Sequence, residues 1–218
     1  MNKIEGVLFD LDGTLLDTAK DLGETLNFIL QQHDIAPLSF HQYRITAANG
    51  VKALLELGFK EQLVELDINN LIQQFFAHYQ QNIAHHTKFY DGIEAMLDSL
   101  NNSNIPWGIV TNKPGFLTTP LLAQFDIFAH SKTNISGDTL SRRKPHPEPM
   151  LLAASELNIP CQQILYLGDA ERDMQAGNAV NMTTVVANWG YIDEPEPLAA
   201  WQADHIINKP EQLMQFIK

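Results

Sequence analysis

The apolar run Ile4–Phe9 stops abruptly at Asp10-Leu11-Asp12-Gly13-Thr14, and this junction constrains the fold more than any other stretch of the chain. Val, Leu and Ile crowded into six positions predict a buried strand. A strand of that kind belongs in a parallel sheet with both faces covered. Its exit into two carboxylates and a glycine, which tolerates backbone angles other residues resist, puts polar chemistry at the strand's carboxyl end.

Similar signals recur further on. Strands are expected at Pro106–Thr111, Ile164–Leu167, Thr183–Ala187 and Asp204–Ile207, with helices at Ile93–Asn101, Asp173–Val180 and Glu211–Ile217. This alternation predicts an α/β fold, a Rossmann-like and mostly parallel sheet with helices on both faces. Ligands of such sheets bind beyond the carboxyl ends of the strands, so Asp10, Thr111 and Asp169 are expected to converge. Residues 17–86 read differently. Leu22, Leu26, Ile29, Leu30, Leu63, Leu66, Leu71, Ile72, Phe75 and Phe76 follow helical spacing with hardly a strand signal. They predict an inserted all-helical domain, leaving residues 1–16 and 87–218 for the catalytic core.

Charge narrows the partners. Lys and Arg total 14 against 26 Asp and Glu, a formal net charge of -12, which argues against nucleic acid or an anionic membrane as the main partner. A small anionic substrate stays compatible, because Lys113 and the Arg142-Arg143-Lys144 run can form a local positive pocket. The two arginines read equally well as a solvated basic loop. The single Cys161 has no disulfide partner or second soft ligand and reads as a small filler residue. No window reaches the roughly 18 apolar residues of a membrane helix, and the start lacks the pattern of a signal peptide. A cytoplasmic protein, monomeric or weakly dimeric, is the expectation.

Asp10 and Asp12 stand two apart at one strand end, and Asp169 supplies a third acid at another. Clustered carboxylates call for a cation, and hard oxygen ligands beside phosphate favour Mg²⁺. Taken singly, an aspartate after a strand is a turn former or a helix cap. The ordered set argues for a site. Asp-x-Asp-Gly-Thr is followed by Thr111-Asn112-Lys113 at a second strand end, then by Lys144-Pro145, then by Gly168-Asp169 with Asp173 four further on.

In these segments the chain resembles the haloacid dehalogenase superfamily: Asp10–Thr14 match its first motif, Thr111 its second, Lys144 its third, and Gly168-Asp169 with Asp173 its fourth. The resemblance implies that Asp10 attacks phosphorus to form an aspartyl-phosphate and that Asp12 serves as general acid and then general base. It also implies that Thr111 and Asn112, with Gly13 beside them, hold the phosphoryl group and that Lys144 neutralises its charge. Mg²⁺ is implied on the Asp10 and Asp169 carboxylates and the Asp12 carbonyl, with Asp173 outside that set. The substrate class implied is a small phosphorylated metabolite.

The helical insertion resembles the family's small cap, which closes over the site and selects the substrate. Within it, Arg44-Ile45-Thr46-Ala47-Ala48-Asn49-Gly50 resembles the Arg-x-x-x-Gly-Asn-Gly loop of phosphoglycolate phosphatases, with Ala48 in place of the first glycine. Arg44, Asn49 and Gly50 are the implied substrate-binding residues. Arg44 suits a forked bond to a carboxylate, or it is a surface arginine on a helix. The segments Trp107–Pro114, Arg143–Pro149 and Gly190–Ile192, with Trp201–Leu213, are similar to phosphoglycolate phosphatases and to N-acetylmuramic acid 6-phosphate phosphatases. A phosphomutase of the same fold is disfavoured by Leu22, where the β-phosphoglucomutase type carries His. A true dehalogenase is disfavoured by Asp12 and Asp169 together, and a retired, non-catalytic scaffold by the full set of acids. His85, His86 and His146 read as surface or packing residues, and Trp107, Trp189 and Trp201 as core or interface.

Overall fold

A computed structural model describes residues 3–192 and 198–217. It separates into two compact units, one of residues 1–16 and 89–218 and the other of residues 17–88.

The first unit is built on a six-stranded sheet: β1 (Gly6–Phe9), β4 (Trp107–Val110), β5 (Asn134–Ile135), β6 (Ile164–Gly168), β7 (Thr183–Ala187) and β8 (His205–Ile207). Their spatial order is β5-β4-β1-β6-β7-β8, and every neighbouring pair is parallel. β1, β4 and β6 are buried throughout, which accounts for their unbroken apolar sequences. The chain runs outward to β5 on one side of β1 and outward to β8 on the other. The order therefore reverses at β1 and β6, and the crevice beyond their carboxyl ends is where such sheets take ligands.

Helices α5 (Ile93–Asn102), α6 (Gly115–Leu122), α7 (Glu148–Leu157) and α8 (Glu171–Asn178) connect these strands. One core packs Leu8, Val110, Ile135 and Tyr166 against Met150 and Ala153 of α7, with Cys161 at its margin. Trp107 is fully buried, its indole N–H donating to Asn101 Oδ1 at 2.8 Å. β5 and α6 are among the elements that escaped the sequence reading. β5 is only two residues long, and α6 contains Pro120, whose missing N–H and ring ordinarily interrupt a helix. The terminal helix expected at Glu211–Ile217 is instead a 3₁₀ segment, Pro210–Phe216. Short i→i+3 bonds, Gln212 N–H to Lys209 O and Ile217 N–H to Met214 O, keep it tight.

The second unit is helical: α1 (Ala19–Gln32), α2 (Phe40–Ala47), α3 (Gly50–Phe59) and α4 (Ile68–Gln81), with a 3₁₀ turn at Lys60–Glu65. Leu26, Ile29, Leu30, Leu54, Leu55, Phe75 and Tyr79 form its buried interior. Gly23 lets α1 approach α2, since a Cβ there would stand 2.1 Å from the Tyr43 ring. Buried Asp21 accepts from the His86 and Thr87 N–H groups and from Thr87 Oγ1, tying the end of the unit back to α1. The strands β2 (Leu16–Asp17) and β3 (Lys88–Phe89), where the chain passes between the units, form a two-stranded sheet. No described helix is long and apolar enough to cross a membrane.

Candidate active site

β1, β4 and β6 lie side by side in register, Phe9 opposite Ile109 on one flank and Leu167 on the other. Asp10 follows β1, Thr111 follows β4 and Asp169 follows β6, so all three emerge on one edge of the sheet. Asp10, Asp169 and Asp173 are all buried, and each offers a carboxylate oxygen within 4.8 Å of the others.

Three carboxylates in a dry pocket repel one another unless cations answer them. Lys144 is one answer. Its Nζ, with a side chain 0% exposed, lies 2.9 Å from Asp10 Oδ1 and 2.7 Å from Asp173 Oδ1. It also donates to Val110 O and to the Tyr166 hydroxyl, both at 2.7 Å. A buried ammonium group is tolerable only with this density of acceptors. Asp173, near the start of α8, additionally accepts from its own N-cap, Ala170 N–H, at 3.0 Å. Gly168 makes room for it, because a Cβ there would stand 2.6 Å from the Asp173 side chain.

Asp169 is held from the other side. Its Oδ1 accepts from Thr14 Oγ1 at 2.9 Å and its Oδ2 from Tyr191 N–H at 2.8 Å. Gly13, at φ +87°, lies so close that a Cβ would stand 2.2 Å from Asp169 Oδ2; the positive φ and the contact together exclude other residues. Trp189 closes this corner, its indole N–H donating to Thr14 O at 3.0 Å.

The electrostatics follow from burial. Asp169 is pushed up to about 7, first by loss of water and then by the charges of Asp10 and Asp173. Burial likewise raises Asp10, with Lys144 pulling it back. Burial and the same carboxylates drive the Tyr166 phenol well above its ordinary value. Carboxyl groups that resist ionising together form a strongly polarised pocket suited to a cation or a proton. The donor set fits a hard divalent cation: carboxylate oxygens only, buried and mutually close.

Asp12 faces a different environment. Its Oδ1 lies 3.0 Å from Lys113 Nζ, in a pair whose side chains are 18% and 5% exposed respectively. The Asn112 side-chain amide donates to Lys144 O at 2.9 Å, so that group supports the loop carrying the lysine. Arg44, Asn49 and Gly50 belong to the helical unit, at the end of α2 and the start of α3. Arg44 is half-buried, Asn49 is exposed, and Gly50 takes φ +82° with nothing near its missing Cβ.

Comparison with known proteins accords with this arrangement. A family model described as haloacid dehalogenase-like hydrolase matches residues 7–187, a span that takes in both the site and the helical insertion. The chain belongs to this family. Among relatives of this hydrolase, a phosphoglycolate phosphatase of Xanthomonas campestris pv. campestris is 39% identical over 210 residues, covering 96% of this chain and 94% of its own. An N-acetylmuramic acid 6-phosphate phosphatase of Pseudomonas aeruginosa is 33% identical over 215 residues, covering 99% and 95%. The crystal structure of a predicted phosphoglycolate phosphatase from Haemophilus somnus 129PT matches the hydrolase with a TM-score of 0.87 at 25% identity, covering 99% of this chain and 98% of that one.

Sequence reasoning quoted Thr14 in the first motif, Lys113 in the second strand-end segment and for its charge, Tyr191 in a family-like segment and Trp189 as core or interface, but gave none of them a specific contact, and it did not single out Tyr166. For Lys113 a signal was present, two positions beyond Thr111 in the same strand-end loop. Tyr166, Trp189 and Tyr191 act across strands and loops, with nothing in local spacing to mark their contacts, and Thr14, though inside the first motif, reaches Asp169 from a distant part of the chain.

Proposed function

We propose that this hydrolase cleaves a small phosphate monoester that also carries a carboxylate, a phosphoglycolate-like compound, through an aspartyl-phosphate on Asp10. The observation that carries the reading is Lys144 Nζ at 2.9 Å from Asp10 Oδ1, inside a buried group of acids at the sheet's switch point. A lone carboxylate is a poor nucleophile toward an anionic phosphate. One held against an ammonium group is oriented, and its approach to the phosphoryl oxygens is compensated.

Asp10 and Asp169, with the Asp12 carbonyl, would hold Mg²⁺, leaving Asp173 to position Lys144. Bound there, Mg²⁺ supplies positive charge that offsets the nucleophile and the phosphoryl oxygens. In the proposed sequence an Asp10 oxygen bonds to phosphorus as the bond to the leaving oxygen breaks, and Asp12 delivers a proton to that oxygen. Asp12 then takes a proton from water as the water oxygen attacks phosphorus and the Asp10–phosphorus bond breaks, releasing inorganic phosphate. Thr111 Oγ1, the backbone around Asn112, Gly13 and Lys144 are assigned to the phosphoryl oxygens. Arg44, Asn49 and Gly50 are assigned to the rest of the substrate, Arg44 to its carboxylate.

The relatives favour two substrates, phosphoglycolate and N-acetylmuramic acid 6-phosphate, both of which pair a monoester with a carboxylate. The second is kept because the Pseudomonas aeruginosa phosphatase aligns with 99% of the chain. The test is phosphate release from each, with Mg²⁺ and with EDTA, for wild type and Asp10→Asn. Metal-dependent release that the variant loses is expected, and the larger kcat/KM identifies the substrate. Activity retained by Asp10→Asn would overturn the covalent reading. Arg44→Ala is expected to raise KM for the carboxylate-bearing substrate while sparing an aryl phosphate that has no carboxylate.

A further inference from the structure

We infer that Lys113 is a positioning residue for Asp12, fixing the carboxyl group that exchanges the proton with the leaving oxygen; the inference rests on the phosphatase reading above. Asp12 stands outside the carboxylate group of Asp10, Asp169 and Asp173. Its charge is instead met by Lys113, 3.0 Å away and nearly buried. The site therefore divides its cations: Lys144 serves the nucleophile and Lys113 serves the acid–base group.

The backbone of Lys113 is anchored on three sides. Its N–H donates to Thr111 Oγ1 at 3.2 Å, and its carbonyl accepts from Gly137 N–H at 2.9 Å and from Thr118 Oγ1 at 3.2 Å. Gly137 packs so closely on this loop that a Cβ would stand 2.2 Å from Asn112 O. A lysine with a fixed backbone and a side chain 5% exposed loses little further freedom in holding its partner. A surface ion pair would contribute little, but one this dry restricts where the Asp12 carboxyl group can sit. When Asp12 gives its proton to the leaving oxygen, the carboxylate left behind is stabilised by the same ammonium group. When it takes the proton of the attacking water, it starts from that held position.

General acid catalysis matters in proportion to the basicity of the leaving group. An alkoxide needs the proton, whereas a nitrophenolate departs without it. The experiment is kcat/KM, which reports formation of the phosphoenzyme, for phosphoglycolate or whichever alkyl phosphate the wild type prefers and for p-nitrophenyl phosphate. Wild type, Lys113→Gln and Lys113→Arg are compared. Since a positioned acid is worth about 10²–10⁴-fold, Lys113→Gln is expected to lose about 100-fold on the alkyl phosphate and less than about 3-fold on the aryl phosphate. Lys113→Arg should recover part of the loss. In an Asp12→Asn background the Lys113→Gln change should cost the alkyl phosphate almost nothing, because the pair acts as one unit.

Equal losses on both substrates, no loss on either, or full additivity with Asp12→Asn would overturn the inference. If Lys113→Gln does not fold, Lys113→Arg alone decides: a loss confined to the alkyl phosphate supports positioning, and an unselective loss or none refutes it. Failure of the underlying phosphatase reading shows separately, as wild type that hydrolyses neither compound or Asp10→Asn that still hydrolyses p-nitrophenyl phosphate.

Discussion

Lys144 keeps a fully buried ammonium group between two carboxylates, a backbone carbonyl and a phenol. Lys144→Met removes the cation and leaves Asp10 and Asp173 facing each other in a dry pocket. Breaking a buried pair in this way costs about 3–5 kcal/mol, so urea unfolding should show a loss of that order, with phosphate release abolished. Asp169 gives a pH prediction of definite sign. Its carboxyl group is raised from 3.8 to about 7, so between those values the folded chain binds a proton that the unfolded chain does not. That contribution is fully present below pH 4 and is lost as pH rises through 7. In EDTA, the Tm of wild type should fall between pH 5 and pH 8, and Asp169→Asn should flatten the slope; a wild type already flat over that range would contradict the assignment. Asp10, Asp12, Lys144 and Asp169 could be picked out from their order along the chain, because strand ends and short motifs are local features. Tyr166 could not. Its hydroxyl reaches Lys144 from the interior of β6, where an aromatic residue reads simply as core.

Among the elements, strands β1, β4, β6 and β7 are legible because burial leaves them mostly apolar in sequence. β5 and α6 are not. A two-residue strand falls below any periodic signal, and Pro120 inside α6 outweighs the apolar residues around it. α1 shows packing overriding propensity. Alanine is a better helix former than glycine by about 1 kcal/mol, yet a Cβ at Gly23 would stand 2.1 Å from the Tyr43 ring. Gly23→Ala is therefore expected to destabilise the protein by about 1–3 kcal/mol, the usual cost of overpacking, measured by urea denaturation. A gain in stability would mean that α2 moves away freely.

In the whole molecule, an acid-rich pocket makes stability depend on what fills it. A ligand bound only by the folded state adds about 2.7 kcal/mol at 100 times its Kd. Mg²⁺ titrated into EDTA-treated protein should raise Tm, more at pH 8 than at pH 5, where protons already occupy the carboxylates. Asp10→Asn and Asp169→Asn should each reduce the rise. The placement of β1 has another consequence, which concerns synthesis. The strand bearing Asp10 lies at the middle of the sheet, yet its neighbours begin at Trp107 and Ile164. Since a ribosome adds about 5–20 residues per second, β1 waits roughly 8–30 s for its second flank. Until Trp107 is made both edges of this apolar segment are open, and one stays open until Ile164 is made, an interval in which a chaperone is its natural shelter. Asp10 is thus translated well before the strands that complete its surroundings.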